Sequence, residues 1–508
     1  MSGRPPVIKN GGALPLAHIP RLTPAEFAAM CKARLTEGAR LAAVLAVPEG
    51  EGAAPLTLYA VLADDENGDL LVIGREPGRE FESLTPRIPQ FHLFEREIGE
   101  QYGVTFSGHP WFKPVRFHAP WQGDRDAWGR DPKRHPLIGD MEYFTVEGAE
   151  IHEVGVGPVH AGVIEPGHFR FQCYGEKVLH LEISLGYQHR GIAQLLAGGP
   201  HPQTPMQIET MAGDTSIGHM SAYAMILEGL GGVEISPRAA SLRAIALELE
   251  RLACHVGDFG ALAGDVGYLP TSSYCGRLRG DYLNLTGQIC GSRFGRGLVR
   301  PGGVLFDLDT GMAEKMRAAL TPVARDTRGA LELFFDTPSV LARLEGTGKV
   351  STRDAFYLGL VGVAGRACGL DGDVRRYHGG TIYAQDEIPV MSEEGGDVLA
   401  RALVRQREVE HSLEFLNRRL ASLPAGDLRV ATPPPAPDSL AVAMVEGWRG
   451  PVTHVAVTDA TGHFKRYQVV DPSFFNWSGL ALALRDEQIS DFPLCNKSFN
   501  LSYCGFDL

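Results

Sequence analysis

At 508 residues the chain exceeds the length over which one hydrophobic core usually keeps growing, so two or more domains are expected, and its 44% hydrophobic content can fill them. The formal net charge of -13, from 61 acidic against 48 basic residues, argues against a broad phosphate-binding surface and so against nucleic acid as a partner. Eight scattered cysteines with no C-x-x-C pair fit free thiols in a reducing cytoplasm, not a disulfide framework or a zinc knuckle.

The first residues lack a basic segment followed by an apolar run, and no stretch reaches the roughly 18 uninterrupted apolar residues of a spanning helix. The chain is expected to reach a membrane only through a partner. Thr23-Pro24-Ala25-Glu26 predicts a helix start, and the apolar runs Leu41 to Val47, Leu56 to Leu62 and Leu70 to Ile73 predict strands, the last two separated by an acidic turn at Asp64 to Gly68. Phe117 to Pro136, rich in Pro, Gly, Trp and charge and without a helical or alternating period, reads as a linker. A strand-rich stretch, Glu150 to Ser184, precedes a long and mainly helical body. Ser236-Pro237 opens one helix whose apolar positions Leu242, Ile245, Leu249 and Leu252 form a core-facing stripe. Gly395-Gly396 precedes another, in which Asp397 and Arg401 stand four apart as a favourable pair. No fixed-period repeat is visible.

Phe94-Glu95-Arg96-Glu97-Ile98-Gly99-Glu100-Gln101-Tyr102-Gly103, continuing to Phe106 and Gly108-His109-Pro110, reads as a short amphipathic helix ended by a glycine cap. Its Glu/Arg set suits docking against a neighbouring chain or domain. This stretch resembles the signature of the C-type subunit of NADH-quinone oxidoreductase, a docking module and not a catalytic one.

From Gly157-Pro158-Val159-His160 onward further landmarks follow: Leu185 to Gly191, Glu250-Arg251-Leu252 with His255, Asp265-Val266-Gly267, Arg300 to Gly303, and Asp471-Pro472 with Phe475-Asn476-Trp477. Their order resembles the D-type subunit of complex I and the large subunit of membrane-bound, energy-converting nickel-iron hydrogenases. The C-terminal stretch from Asp471 to Leu494 looks closer to formate hydrogenlyase-like complexes. The resemblance implies an α+β chain: a small α/β N-terminal domain (1–120), a linker (121–145), and a large, mainly helical hydrogenase-like domain with a β-rich start (146–508).

A nickel-iron site needs four thiolates, because soft sulfur holds both metals in a compact bridged cluster. The positions that the resemblance assigns to those thiolates are Ala212, Thr215, Ser502 and Gly505, none of them cysteine. Cys504 is out of register with them. The chain stops at Leu508, just beyond, which agrees with a site that is never processed for metal. No nickel and no other metal is therefore expected. Asp214, Thr215 and His219 form a candidate polar cluster, but one histidine and one carboxylate fall short of a catalytic metal site.

Complex I uses the same cavity for a quinone head group. By resemblance His160 matches its histidine, with Ala161 in place of the following proline, and Asp265 matches its buried aspartate. Its tyrosine is replaced by Gly213, which has no side-chain donor. The leading expectation is a subunit of a membrane-associated redox complex with a quinone-type cavity beside a 4Fe-4S cluster. That cluster would belong to a small iron-sulfur partner, since this chain has no recognisable ligand set of its own. Further partners would be membrane-arm subunits, and the location peripheral, on the cytoplasmic side. A catalytically inactive coupling subunit of an ion-translocating assembly is the second reading, and an active hydrogenase the third. NAD binding comes only as a family label: no G-x-G-x-x-G opens a helix after a strand, so NADH oxidation would fall to another subunit.

Overall fold

A computed structural model describes residues 5–122, 125–131, 136–160, 164–383 and 386–508. The first helix, α1 (Pro24–Thr36), starts where the sequence signals it: Thr23 caps the Glu26 amide while the Glu26 side chain returns to the Thr23 backbone. Strands β1 (Arg40–Pro48), β2 (Leu56–Asp64) and β3 (Asp69–Gly78) follow as an antiparallel meander, with Val44 opposite Ala60 and Ala60 opposite Ile73. Short strands Val7–Ile8 and Arg21–Leu22 complete this sheet along β3. β1 and β2 are buried over nearly their whole length, so they read as continuous apolar runs.

Helix α2 (His92–Tyr102) carries the F-E-R-E motif and ends at Gly103, whose left-handed backbone forms the cap. A side chain there would also strike the Arg125 carbonyl. The motif is not a solvated charged face. Glu95, Glu97 and Glu100 are all buried and each is satisfied: Glu95 by Ser83, Thr85 and the Leu84 amide, and Glu100 by the amides of Val115, Arg116 and Phe117. Glu97 pairs with Arg116 and accepts from Gln468 of the C-terminal part. Phe94 packs against Phe474 and Phe475. The docking face of this module is thus turned onto the same chain.

Strands β4 (Ile151–Val156), β5 (His168–Tyr174) and β6 (Lys177–Ser184) form the β-rich start of the large part. Helices α3 (Ser216–Gly231), α4 (Pro237–Asp265), α5 (Leu269–Cys290), α6 (Thr310–Phe335) and α7 (Val398–Ala421) make its body. A second sheet of β7 (Ser439–Glu446), β8 (Pro451–Thr458) and β9 (Phe464–Val470), followed by α8 (Pro472–Ala483), closes it.

Ser236 and Asp397 cap α4 and α7. The expected stripe on α4 is too narrow, because Ala239 to Val256 are all buried, charged residues included. α4 lies at the centre of the bundle, with α3, α5 and α7 packed around it. The expected Asp397–Arg401 pair gives way to other partners. Asp397 accepts from the Ala400 and Gly346 amides, whereas Arg401 donates to the Gly396 and Gly348 carbonyls and to Ser498.

The expected 1–120, 121–145 and 146–508 division is crossed by contacts in several places. Ala13–Pro15 is an edge strand on β7, and the Asn10 amide is tied to Met444. Within the expected linker, Trp128 donates to the Phe112 carbonyl and Asp126 pairs with Arg130; residues 123–124 and 132–135 of that linker lie outside the described residues.

Candidate functional site

Two segments far apart in sequence bear the four positions to which the resemblance assigns metal ligands. Ala212 and Thr215 lie in the turn that leads into α3; Ser502 caps the short helix Tyr503–Asp507, which contains Gly505. All four are buried. The Ser502 hydroxyl accepts from the Gly505 amide at 2.9 Å, and the Ser502 amide donates to Ser473 at 2.8 Å. A Cβ on Gly505 would lie 2.6 Å from Asp471 Oδ2 and 2.8 Å from Ser502 Oγ. Glycine is required at 505 because a carboxylate and a hydroxyl take the space of a side chain.

Asp214 and Thr215 do meet, the threonine hydroxyl donating to Asp214 Oδ1 at 3.1 Å. The main partner of Asp214 is Arg449, which donates to both carboxylate oxygens at 2.9 and 2.8 Å. Burial alone would raise the Asp214 pKa, but the Arg449 guanidinium more than offsets it and holds the carboxyl below its usual range. The Asp214 carbonyl accepts from Trp448 Nε1 at 3.0 Å.

His219, in the first turn of α3, is reached from the other side of the site. Its Nδ1 is 3.1 Å from His454 Nε2, its Nε2 is 3.6 Å from Asp471 Oδ2, and His454 Nδ1 is 2.8 Å from the Tyr467 hydroxyl. Both rings are fully buried, and burial pushes the His454 pKa far down. One consistent set of donors runs through the row: Tyr467 donates to His454, His454 to His219, and His219 faces Asp471. The His219 amide donates to the Thr215 carbonyl at 3.0 Å, while its ring turns to Asp471 and His454; Asp471 and Arg449 are residues which the sequence reading had not placed at the site.

Glu250 adds a further buried group. It accepts from the Ile217 and Gly218 amides at the start of α3, at 2.9 and 3.2 Å. Burial outweighs those bonds and pushes its pKa up to about 8. Cys504 is an inert thiol, pushed up to about 12 by burial and by Glu165.

His160 sits in the loop between β4 and β5, its Nε2 2.8 Å from the Gly167 carbonyl and its ring 5.6 Å from that of Phe169. Ala161 lies outside the described residues. A Cβ on Gly213 would meet no heavy atom within 4 Å, so open space stands where the resemblance places a phenol. Asp265 is the last residue of α4 and is exposed. The buried histidine ten positions before it, His255, faces Glu408 at 2.8 Å and Asp258 at 4.0 Å instead. Among the described residues no three His, Cys, Asp or Glu side chains converge as metal ligands.

Residues 22–142 match the family described as respiratory-chain NADH dehydrogenase, 30 Kd subunit, and residues 265–437 the 49 Kd subunit of the same enzyme. The chain is 31% identical to the carbon monoxide-induced hydrogenase of Rhodospirillum rubrum, over 69% of this chain and 97% of that protein. It is 28% identical to formate hydrogenlyase subunit 5 of Escherichia coli, over 84% of this chain and 77% of that protein. With the C/D-type NADH-quinone oxidoreductase subunit of Bacteroides thetaiotaomicron it shares 29% identity, over 70% of this chain and 72% of that protein. A solved archaeal respiratory membrane complex, the membrane-bound sulfane sulfur reductase, contains a chain of the same fold, with a TM-score of 0.66 and 23% identity over 71% of this chain and 99% of that one. The chain belongs to the complex I-like subunits in which a 30-kDa, C-type part and a 49-kDa, D-type part are fused, a family homologous to the large subunits of membrane-bound hydrogenases.

Proposed function

We propose that the chain is a peripheral subunit of a membrane-associated, complex I-like oxidoreductase, on the cytoplasmic face, in which a quinone-type acceptor meets a 4Fe-4S cluster held by a small partner subunit. Membrane-arm subunits complete the assembly, and this chain carries no nickel-iron centre. The observation that carries the reading is how the degenerate ligand positions are filled: Asp471 and Ser502 take the side-chain space at Gly505, and Arg449 is bound to Asp214. A hard carboxylate, a hydroxyl and a guanidinium do not fit a centre that needs four thiolates.

The His160 loop supplies the acceptor contact in this reading. A carbonyl only accepts, so the Gly167 oxygen takes the Nε2 proton, and a neutral ring then presents a lone pair at Nδ1. A quinone oxygen also only accepts. This ring can hold it only through a proton on Nδ1. With no phenol at Gly213, the acceptor has one donor from this loop and a second contact from elsewhere.

The inactive coupling role remains as a second reading, favoured by the open space at Gly213. The two separate in the complex isolated anaerobically through a tag on this chain. Its clusters are reduced, a short-chain quinone is added, and reoxidation is followed by EPR in wild type and His160→Ala. Fast reoxidation that the substitution slows supports the acceptor role; reoxidation that is absent or indifferent to His160 rejects it.

A further inference from the structure

Helix α2 carries a cation that its surroundings leave unbalanced. Arg96 stands in the F-E-R-E stretch, where its Nε donates to the Lys113 carbonyl and its Nη2 to the Pro114 carbonyl, both at 2.8 Å. Those bonds use one side edge of the guanidinium. No carboxylate forms an ion pair with it among the described residues, and the two that act on it from further away, Glu100 and Glu182, are bound by other donors. Glu100 accepts from three backbone amides; Glu182 accepts from Lys113 at 2.8 Å, from Trp111 at 3.3 Å and from the Phe144 amide at 2.8 Å. Burial lowers the Arg96 pKa only to about 10, so the group is charged at neutral pH. A charge drawn out of bulk water without a partner is costly, and an anion beside it relieves that cost.

The remaining donors of Arg96 open on free space. Nη1 has no acceptor among the described residues, and it is not one of the buried nitrogens closed to water. The residue lines a cavity of about 430 Å³ between α2 of the N-terminal part and β6 and α8 of the large part, a size within the range of small-molecule sites. Leu93 on α2, Leu181 and Ile183 on β6, and Trp477, Ala481 and Leu482 on α8 supply an apolar wall. His92 and Ser478, 3.1 Å apart, tie α2 to α8 beside it. Trp111, Tyr357 and Arg485 border the cavity and are exposed, so it is reached from solvent.

The charges around this space leave one positive charge over. Glu182 is balanced by Lys113, and Asp354 and Arg485 carry opposite signs. His92 is neutral, pushed down to about 3 by burial and by Arg96 and His109, and burial lowers His180 as well. Arg96 therefore calls for a single negative charge. A carboxylate meets that need better than a phosphate monoester, which carries nearly two charges at neutral pH. It also fits the free end of the guanidinium, where Nη1 and the second Nη2 hydrogen form a two-bond fork.

We propose that this cavity binds a small carboxylic acid as its anion, with the carboxylate on Arg96 and an apolar body against Trp477 and Leu482. The occupant lies along α8, the helix that Asp471 caps at the candidate site. The site does not depend on which acceptor the complex reduces.

Fluorine NMR of para-trifluoromethylbenzoate with the full chain at neutral pH reads this binding, and the uncharged para-trifluoromethylbenzamide is its control. The benzoate is expected to bind, and the amide at least about tenfold more weakly, because it lacks the charge that Arg96 pairs with. Arg96→Gln brings the benzoate down to the level of the amide. Ala481→Phe puts a ring into the cavity, leaves Arg96 in place and removes the binding of both. The comparison of acid with amide on the wild-type chain needs no variant, so it decides even where a variant fails to fold. In the assembled complex the benzoate still binds. Loss of binding there means that a partner's side chain holds Arg96 and overturns the proposal. A wild-type chain that does not bind the benzoate or does not prefer it to the amide, or a folded Ala481→Phe that still binds it, overturns it equally.

Discussion

Gly505→Ala adds one methyl group where the structure leaves no room for it. Its carbon would lie 2.6 Å from Asp471 Oδ2 and 2.8 Å from Ser502 Oγ, roughly an ångström inside normal contact. Asp471 cannot yield freely. It is 1% exposed, caps α8 by accepting from the Ser473 amide at 2.8 Å, and faces His219 at 3.6 Å. Overpacking of a dense interior costs about 1–3 kcal/mol and a lost cap about 1 kcal/mol, so Gly505→Ala should destabilise by about 2–4 kcal/mol. Urea denaturation of the full chain, in wild-type and Asp471→Ala backgrounds, measures it. The alanine at 471 removes the clashing oxygen, so the cost of Gly505→Ala should fall by at least half there, a coupling that a double-mutant cycle reads directly. A neutral Gly505→Ala, or an equal cost in both backgrounds, refutes the claim that Asp471 fills this position.

Glu250→Gln tests the buried acid at the start of α3. Its folded pKa of about 8 against an ordinary 4.5 means that the fold keeps a proton which the unfolded chain has lost, so stability is full below pH 4.5 and falls by up to about 5 kcal/mol as pH rises to about 8. The glutamine variant should flatten that decline in pH-dependent denaturation; an unchanged slope contradicts the assignment. Glu97→Ala strands Arg116, 4% exposed, without its carboxylate and should cost about 3–5 kcal/mol in the same assay, while an effect below about 1 kcal/mol would show that the N-terminal part is not anchored there. Quinone affinity of the isolated complex, measured at one pH, should fall in His160→Ala. An unchanged affinity would mean that His160 does not hold the acceptor.

Local chemistry was readable from the chain. Thr23 and Ser236 announce their helices because a cap is a matter of neighbouring residues, and Gly103 ends α2 for the same reason. The F-E-R-E helix was recognisable as a docking element, but its partners were not, since Gln468 and Phe474 lie far along the chain. The same distance hid most of the site. Asp214, Thr215 and His219 stand in one short segment and stood out together, whereas Arg449 and Asp471 enter from β7–β8 and β9–α8 turns. Their W-R-G and D-P contexts are visible as motifs without disclosing a partner. Asp265 was matched by resemblance to a buried aspartate, yet it is the last residue of α4 and lies exposed in this chain, a setting that depends on where the helix ends and what packs there and not on the motif itself.

The metal content of the intact complex tests the central claim most directly. Purified anaerobically through a tag on this chain and analysed for iron and nickel alongside hydrogen evolution, the complex should contain iron, no stoichiometric nickel and no hydrogenase activity. Nickel at one atom per chain, with hydrogen evolution that Asp471→Ala or Ser502→Ala abolishes, would contradict it and restore the site as a metal centre built from ligands other than four thiolates.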